Sequence, residues 1–383
     1  MARLEEICSL ITDGSHFSPE DEGVGYPMFS VKDMTPNGFN ISGCKKIGEE
    51  AYKKLVANGC KPLNDDVVVA KDGSYLKTAF VIKGNPEIAL LSSIAILRPK
   101  IDLVVPEYLS YFLKSDAVYR TVSLNYITGT ALKRIILKGI RKIEVDLPDI
   151  GEQEQRAQRL SKVDYLCQLR KQQLDKLDEL VKARFVEMFE NSSWPNTSLN
   201  DICSEIVDCP HSTPKYEGNL EHPAIRTTEI KKGYIDWDSM KYVSEEEYQK
   251  RIKSLKPVPG DIVYGREGTY GNAAIIPDGY EFCLGQRVML FRPNKTKCIS
   301  AYVLYAILSD RVKRQADEKN VGATVPHVNV ADAKQFDVVL PPLELQNQFA
   351  AFVERVNQQK QTVQQSLEKL ELMKKALMQE YFG

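Results

Sequence analysis

The same pattern of residues occurs twice in this chain, and the two copies are 195 residues apart. The first copy, TDGSHFSPEDEG, begins at Thr12, and the second, VDCPHSTPKYEG, begins at Val207. Later matches keep separations of 195, 194 and 193 residues and include Asp66 with Asp261, the LRP at 97–99 with the FRP at 291–293, and Leu147-Pro148 with Leu340-Pro341. Because the separation drifts so little, the chain is a duplicated domain and not a solenoid of short repeats.

Each half begins with a region in which short strand-like runs are separated by Gly, Pro and Asn. The runs are DVVVA, TAFVI and LLSSIAIL in the first half, and DIVYG, NAAII and RVMLF in the second. One helix is predicted near 106–120 and another near 300–319. The 383 residues suffice for two or three domains, and the pattern predicts an α+β fold in each half.

Each half ends in a long segment with the composition of a helix. The segment from Glu152 to Phe189 contains no Pro or Gly. Its apolar residues are spaced alternately three and four residues apart, which is typical of a coiled-coil seam. The same spacing recurs 193 residues later, so that the two seams are 160, 163, 167, 170, 174, 177, 181, 184 and 188, and 353, 356, 360, 363, 367, 370, 374, 377 and 381.

The two seams are predicted to pair with each other, with packing of each helix on its own domain as the alternative. A helix of about 38 residues is about 57 Å long. The predicted architecture is α+β: two similar α/β domains joined by two long antiparallel coiled-coil helices, with a pseudo-twofold internal repeat. The predicted boundaries are 1–150 and 191–343 for the domains, 151–190 for the central spacer helix and 344–383 for the C-terminal spacer helix.

Composition excludes several classes of protein. No run of about 18 apolar residues is present, and the N-terminus lacks the features of a signal peptide, so we expect a cytoplasmic protein without a membrane span. The eight cysteines form no CxxC pair, which favours reduced thiols over a disulfide framework or a zinc knuckle. The net charge of −1 by itself gives no indication of a polyanionic partner. A local basic face would nevertheless suffice for phosphate contacts.

The sequence contains no recognisable catalytic motif. The four histidines have no HExxH or CxxC company, and neither a P-loop nor a GxSxG elbow is present. The N-P-P-aromatic loop of an adenine methyltransferase is also missing, since the nearest string is Asn85-Pro86-Glu87-Ile88. The sequence therefore predicts a binding protein that holds no metal or cofactor. An Asp13–His16 dyad remains the weakest alternative, because no Ser, Cys or metal partner accompanies it.

Polar turns at equivalent places in the halves suit contacts with nucleic acid. Lys71-Asp72-Gly73-Ser74-Tyr75 corresponds to Arg266-Glu267-Gly268-Thr269-Tyr270. A cation can pair with guanine and a carboxylate can accept from cytosine, although a solvated hairpin is an equal alternative. The segment 128–134 offers hydroxyls and two cations for phosphate contact, whereas its counterpart at 321–327 loses both cations. Shared scaffolds with different polar positions would suit two readers of different sequences.

With these motifs in the same order in both halves, the chain resembles the specificity (S) subunit of a type I restriction-modification enzyme. The resemblance covers essentially the whole chain. It is based on the D-G/C-x-H-x-x-P loops, the GDIVYGREGTYG turn, the NVGATVPHV segment, and LPDIGEQEQ or LPPLELQNQ before each long helix.

The resemblance implies two target recognition domains, each of which grips one part of a split site on double-stranded DNA. It also implies that helices 152–189 and 344–382 form the spacer and dock two modification (methyltransferase) subunits. Those subunits would carry S-adenosylmethionine and the methylation chemistry, and restriction subunits would add ATP- and Mg-dependent cleavage. Half-sites are expected about one DNA turn apart.

The candidate DNA-binding residues for the first half-site are Asp13, His16, Lys71, Asp72, Tyr75, Thr128, Lys133 and Arg134. For the second half-site they are Asp208, His211, Arg226, Arg266, Glu267, Tyr270, Thr324 and His327. Two other functions remain open at this point. One is a specificity subunit for a motor-less, type II-like or modification-only methyltransferase, and the other is a coiled-coil scaffold that binds no DNA.

Overall fold

The computed structural model describes residues 1–73, 75–128, 133–191, 193–217, 221–268, 270–320 and 326–383. It divides into two compact units. Unit 1 comprises Met1–Lys171 together with Gln365–Gly383, and unit 2 comprises Gln172–Gln364. Among the described residues, no helix is long and apolar enough to cross a bilayer.

Unit 1 is organised around a four-stranded antiparallel sheet. Its strands lie in the order Cys8–Asp13, Ile94–Pro99, Val67–Ala70 and Ala79–Val81. A three-stranded sheet has the order Lys45–Ile47, Tyr26–Phe29 and Ala89–Leu90, and short pairs join Ala2–Arg3 to Glu144–Val145, Met34–Thr35 to Gly38–Phe39, and Ile127–Thr128 to Arg134–Ile135. The helices are Leu4–Ile7, Val31–Asp33 (3-10), Glu49–Ala57, Pro106–Leu113, Asp116–Asn125 and Leu137–Arg141.

Unit 2 repeats this topology. Its four-stranded sheet has the order Cys203–Asp208, Val288–Pro293, Ile262–Gly265 and Ala273–Ile275. The three-stranded sheet has the order Lys241–Val243, His222–Ile225 and Cys283–Leu284, and Asn196–Ser198 pairs with Asp337–Val339. The helices are Val186–Glu190 (π), Leu199–Ile202, Glu245–Arg251, Ser300–Ile307, Asp310–Lys319 and Val330–Lys334. The predicted duplication and the predicted mixed fold are thus confirmed.

The single helix predicted in each half is wrong, because a serine divides it into two helices. Ser115 accepts a hydrogen bond from the backbone N–H of Val118 at 3.3 Å. Ser309 accepts one from Val312 at 3.4 Å. A serine at this place caps the start of a new helix and satisfies one of its unpaired N–H groups.

Two long helices, the central helix Ile150–Phe185 and the C-terminal helix Leu343–Phe382, are each fixed at their start by a buried glutamine. The side chain of Gln153 accepts from Val105 N–H at 3.0 Å and donates to the Pro148 carbonyl at 2.9 Å. Gln346 makes the equivalent bonds with Ile299 N–H and the Pro341 carbonyl, at 3.0 and 2.9 Å. Each bond pair ties a helix to the domain before it.

Segments of the two long helices run antiparallel within each unit. In unit 1, Lys374 lies 2.6 Å from Asp164, and Lys171 lies 3.0 Å from Glu371. In unit 2, Lys360 lies 2.6 Å from Asp178. Every predicted seam position is buried or half-buried, so the predicted pairing of the seams is confirmed. The seam lysines 360 and 374 are tolerated because a carboxylate of the facing helix neutralises each one.

Candidate nucleic-acid interface

A charged cluster lies at one end of the four-stranded sheet in unit 1. Asp13 ends the first strand, and Lys71 directly follows the strand Val67–Ala70. The Lys71 ammonium is buried and lies 3.3 Å from Asp13 Oδ2 and 3.5 Å from Asp72 Oδ1. His16 Nε2 lies 3.5 Å from Asp13 Oδ1, and its side chain is 79% exposed. One carboxylate therefore holds a buried cation on one side and an exposed imidazole on the other.

A second segment of unit 1 joins this cluster from about 60 residues further along the chain. Asp72 forms an isolated antiparallel bridge with Arg134. The Gly73 N–H donates to the Lys133 carbonyl at 2.8 Å. Both Lys133 and Arg134 are exposed, so two cationic side chains border the loop that carries His16.

Unit 2 carries the same cluster with different side chains. Arg266 Nη1 lies 3.0 Å from Asp208 Oδ2, and Arg266 Nη2 lies 3.3 Å from Glu267 Oε1. His211 Nε2 lies 3.8 Å from Asp208 Oδ2 and is 81% exposed. Glu267 bridges to His327 as Asp72 bridges to Arg134. Of the eight residues predicted for the second half-site, five meet here: Asp208, His211, Arg266, Glu267 and His327.

The electrostatics of the clusters differ from a simple basic patch. Lys71 and Arg266 are each held between two carboxylates and largely shielded from solvent. Such pairs fix side chains and backbone in place, because breaking one would strand a charge away from water. Lys71 and Arg266 therefore brace the turns of their own units, while the side chains of His16 and His211 beside them are exposed.

Tyr75 and Tyr270 pack against helices of their own units. Tyr75 is buried, its ring stacks on Tyr119 at 5.3 Å, and its hydroxyl lies 3.1 Å from Ser123 Oγ. The bond to Ser123 lowers the pKa of Tyr75. Tyr270 donates to Asp317 at 2.5 Å, and that bond raises the pKa of Tyr270. Both rings face a helix of their own unit.

Three further candidates are Arg226, Thr128 and Thr324. Arg226 binds the buried carboxylate of Glu229, with Nε and Oε2 3.0 Å apart, and so braces a turn of its own. Thr128 lies in a short strand next to Arg134, but its side chain is outside the described residues. Thr324 lies outside them altogether.

Sequence reasoning missed Arg287, which belongs to the unit 2 cluster. Its Nε lies 3.1 Å from Glu267 Oε2, and its side chain is 68% exposed. The internal repeat could not reveal it, because the equivalent residue of the first half is Ser93. The only sequence signal was its place directly before the strand-like run VMLF.

The cysteines and possible metal ligands give no second site. All eight cysteines are buried and form no disulfide. Burial raises the pKa of Cys8 and of Cys283 to about 12, so both remain protonated thiols at neutral pH. In the part of the chain that the structure describes, no group of three or more His, Cys, Asp or Glu residues is arranged to hold a metal ion.

Two similar units that present matching clusters with different exposed residues define a protein with two related recognition surfaces. The chain belongs to the family of the type I restriction modification DNA specificity domain, whose profile matches it twice, at residues 1–179 and 191–372. It is similar to the putative type I restriction enzyme MjaX specificity subunit of Methanocaldococcus jannaschii, with 22% identity over 403 residues, covering 98% of this chain and 90% of that protein.

Two solved structures share the fold. One is the crystal structure of the type I restriction-modification S subunit from M. genitalium, with a TM-score of 0.56, 14% identity, and coverage of 100% of this chain and 95% of that one. The other comes from a study of complex assembly and conformational transition in a type I restriction-modification system, with a TM-score of 0.56, 17% identity, and coverage of 100% and 96%.

Proposed function

We propose that this chain is the DNA-specificity subunit of a type I restriction-modification complex and that each unit reads one half of a bipartite site. The observation that carries the proposal is the repeated cluster. The same Asp–cation–carboxylate arrangement, with an exposed histidine beside it, occurs at the same sheet end in both units, while other exposed residues differ, such as Arg134 and His327 at equivalent positions. Two domains that read different half-sites require the same supporting ion pairs and different exposed residues around them.

Within this function, the buried salt bridges act as braces and the exposed residues make the contacts. Lys133 and Arg134 would meet phosphates and set the position of unit 1 on the duplex. His16 and His211 project from loops that Asp13 and Asp208 hold, and would contact a base edge or the backbone. The chain itself performs no chemistry and acts in the cytoplasm.

The long helices would dock two methyltransferase subunits. Leu180 and Met373 support this role, because they occupy equivalent positions 193 residues apart and both expose large apolar side chains. Scattered apolar exposure is normal, but exposure at repeated positions on a helix fits two equivalent partners. S-adenosylmethionine would bind to these partners, and restriction subunits would supply the ATP- and Mg-dependent cleavage.

The test is to co-express the chain with its cognate methyltransferase subunit and to map methylated adenines by sequencing. A split motif with a fixed gap is expected. A stable complex with no modified motif would contradict DNA specificity and favour the coiled-coil scaffold. Cleavage assays with and without restriction subunits would separate a full restriction complex from a modification-only enzyme.

A further inference from the structure

Arg287 of unit 2 and Ser93 of unit 1 occupy the same backbone position. Each lies just before the same inner strand of its four-stranded sheet. The carbonyl of Ser93 accepts from the Lys71 N–H at 3.0 Å, and the carbonyl of Arg287 accepts from the Arg266 N–H at 2.9 Å. The two residues are therefore structural equivalents, although their side chains share no chemistry.

The side chains at this position point in different directions for an identifiable reason. In unit 1, Ser93 Oγ turns inward and accepts from the Val31 N–H at 3.0 Å. In unit 2, the equivalent of Val31 is Thr227, whose hydroxyl donates to the Arg287 carbonyl at 2.5 Å. In unit 2 the Thr227 hydroxyl therefore makes the hydrogen bond between these two segments. The side chain of Arg287 takes no part in that bond and projects into solvent.

The backbone of Arg287 has an unusual conformation. Its φ is +61°, in the left-handed region that only a small fraction of non-glycine residues adopt. Two hydrogen bonds to its carbonyl, from Arg266 and Thr227, hold it there. Non-glycine residues with a strained backbone conformation of this kind are concentrated at functional sites, where the backbone fixes the direction of a side chain.

Arg287 is the outermost member of a row of alternating charges. The row runs from Asp208 through Arg266 and Glu267 to Arg287, with consecutive charged atoms 3.0, 3.3 and 3.1 Å apart. Glu267 binds Arg287 through Nε, on the side of the guanidinium. Within the described residues, the two terminal amino groups of Arg287 have no hydrogen-bond partner, so the fork they form points outward.

We propose that Arg287 reads a guanine in the second half-site, a role that depends on the function proposed above. A guanidinium fork matches the O6 and N7 acceptors of guanine in the major groove. Glu267 fixes the fork before DNA binds, which reduces the ordering cost of binding. A phosphate could accept the same fork in a bidentate contact, so the test separates a base contact from a phosphate contact by its dependence on sequence.

The test measures binding of the methyltransferase complex to duplexes in which each guanine of the second half-site is replaced in turn by 7-deazaguanine. One position is expected at which the loss of N7 weakens the wild-type complex roughly 10-fold. Arg287→Ala should weaken binding to the natural duplex by a similar factor and should be insensitive to 7-deazaguanine at that position. Arg287→Lys should keep part of the guanine preference, because an ammonium can also donate to O6 and N7 but lacks the fixed geometry of the fork.

Two further variants separate this role from folding and from charge alone. Arg287→Gly suits the positive φ, so this variant should keep the wild-type melting temperature or exceed it while it loses the guanine preference. Lys295→Ala removes an exposed charge beyond the far end of the inner strand Val288–Pro293, whose six residues span roughly 20 Å at about 3.3 Å per residue, and should leave the preference intact.

Three results would overturn the proposal. The first is a second half-site without guanine on either strand. The second is a loss in Arg287→Ala that is equal for all sequences and reduces the salt dependence of binding, which would indicate a phosphate contact. The third is unchanged DNA binding in Arg287→Ala. Failure of the proposed function is a separate result, because the wild-type complex would then show no split motif at all.

Discussion

An ion pair between a buried aspartate and a partly exposed arginine is almost the same in the two units, whereas the residues of a stacked ring pair differ. Arg98 binds both oxygens of Asp66 at 2.8 Å, and Arg292 binds both oxygens of Asp261 at 2.9 and 2.7 Å. The stacked ring pair, in contrast, contains different residues in the two units. The duplicated units have thus kept the residues of the ion pair but not those of the stacked ring pair.

The stacked pair shows what such divergence introduces. In unit 1, Tyr26 stacks on Tyr52 with ring centroids 4.0 Å apart. In unit 2, His222 stacks on Tyr248 at 3.9 Å, and His222 Nε2 lies 2.6 Å from Glu245 Oε2. The geometry of the stack is retained, but a titratable group with a carboxylate partner replaces a phenol. Shape is therefore the conserved property, and polarity is the variable one.

The largest effect is expected from breaking the conserved ion pair. Asp66→Ala and Asp261→Ala each remove a carboxylate that is fully enclosed and leave an arginine without its partner. Each should cost about 3 kcal/mol of stability. Hydrogen exchange should show the loss in strands of unit 1 for Asp66→Ala and of unit 2 for Asp261→Ala, with Lys295→Ala as a neutral control. Unequal losses would contradict the equivalence of the two interiors.

A smaller effect is expected at the starts of the long helices. Gln153→Ala and Gln346→Ala leave the backbone groups at each joint without partners, which should cost about 2 kcal/mol. Limited proteolysis should then cut earlier near 148–153 in the first variant and near 341–346 in the second. Equal losses are expected although Asp149 precedes one helix and Pro342 the other, since the backbone carbonyl of each accepts a hydrogen bond from the N–H of the buried glutamine, at 3.0 Å from Gln153 and 3.2 Å from Gln346.

The smallest effect concerns pH and should break the symmetry between the units. Bonds from Gln249 and His222 hold the pKa of Glu245 below its usual value of 4.5. A carboxylate with a lowered pKa stabilises the fold above its unfolded pKa, and this stabilisation is lost as the pH falls through the folded pKa. His222→Tyr installs the residue of unit 1 and should reduce the loss of stability below pH about 4.5. A pH profile of melting temperature identical to that of the wild type would contradict this role of His222.

The sequence predicted the scaffold better than the contacts, for reasons visible in particular residues. Alternating spacing predicted the seam, because burial on a helix follows directly from position. Tyr75 and Tyr270 match in sequence, but their partners differ, since Tyr75 stacks on Tyr119 and Tyr270 donates to Asp317. Ser93 and Arg287 are 194 residues apart, like the LRP and FRP that follow them, so the repeat shows that they are equivalent but their residue types differ. A repeat identifies equivalent positions, but the direction of a side chain depends on neighbours such as Val31 or Thr227.

The central claim is that the two units read separate half-sites through equivalent clusters. Asp13→Ala and Asp208→Ala form the matched pair that tests it most directly, since each carboxylate holds both the buried cation and the exposed histidine of its own unit. Each variant would be co-expressed with the methyltransferase subunit, and methylated adenines would be mapped by sequencing. Asp13→Ala should relax the first half-site only, and Asp208→Ala the second only, with the gap unchanged. Relaxation of both half-sites by either variant, or of neither by both, would contradict the claim.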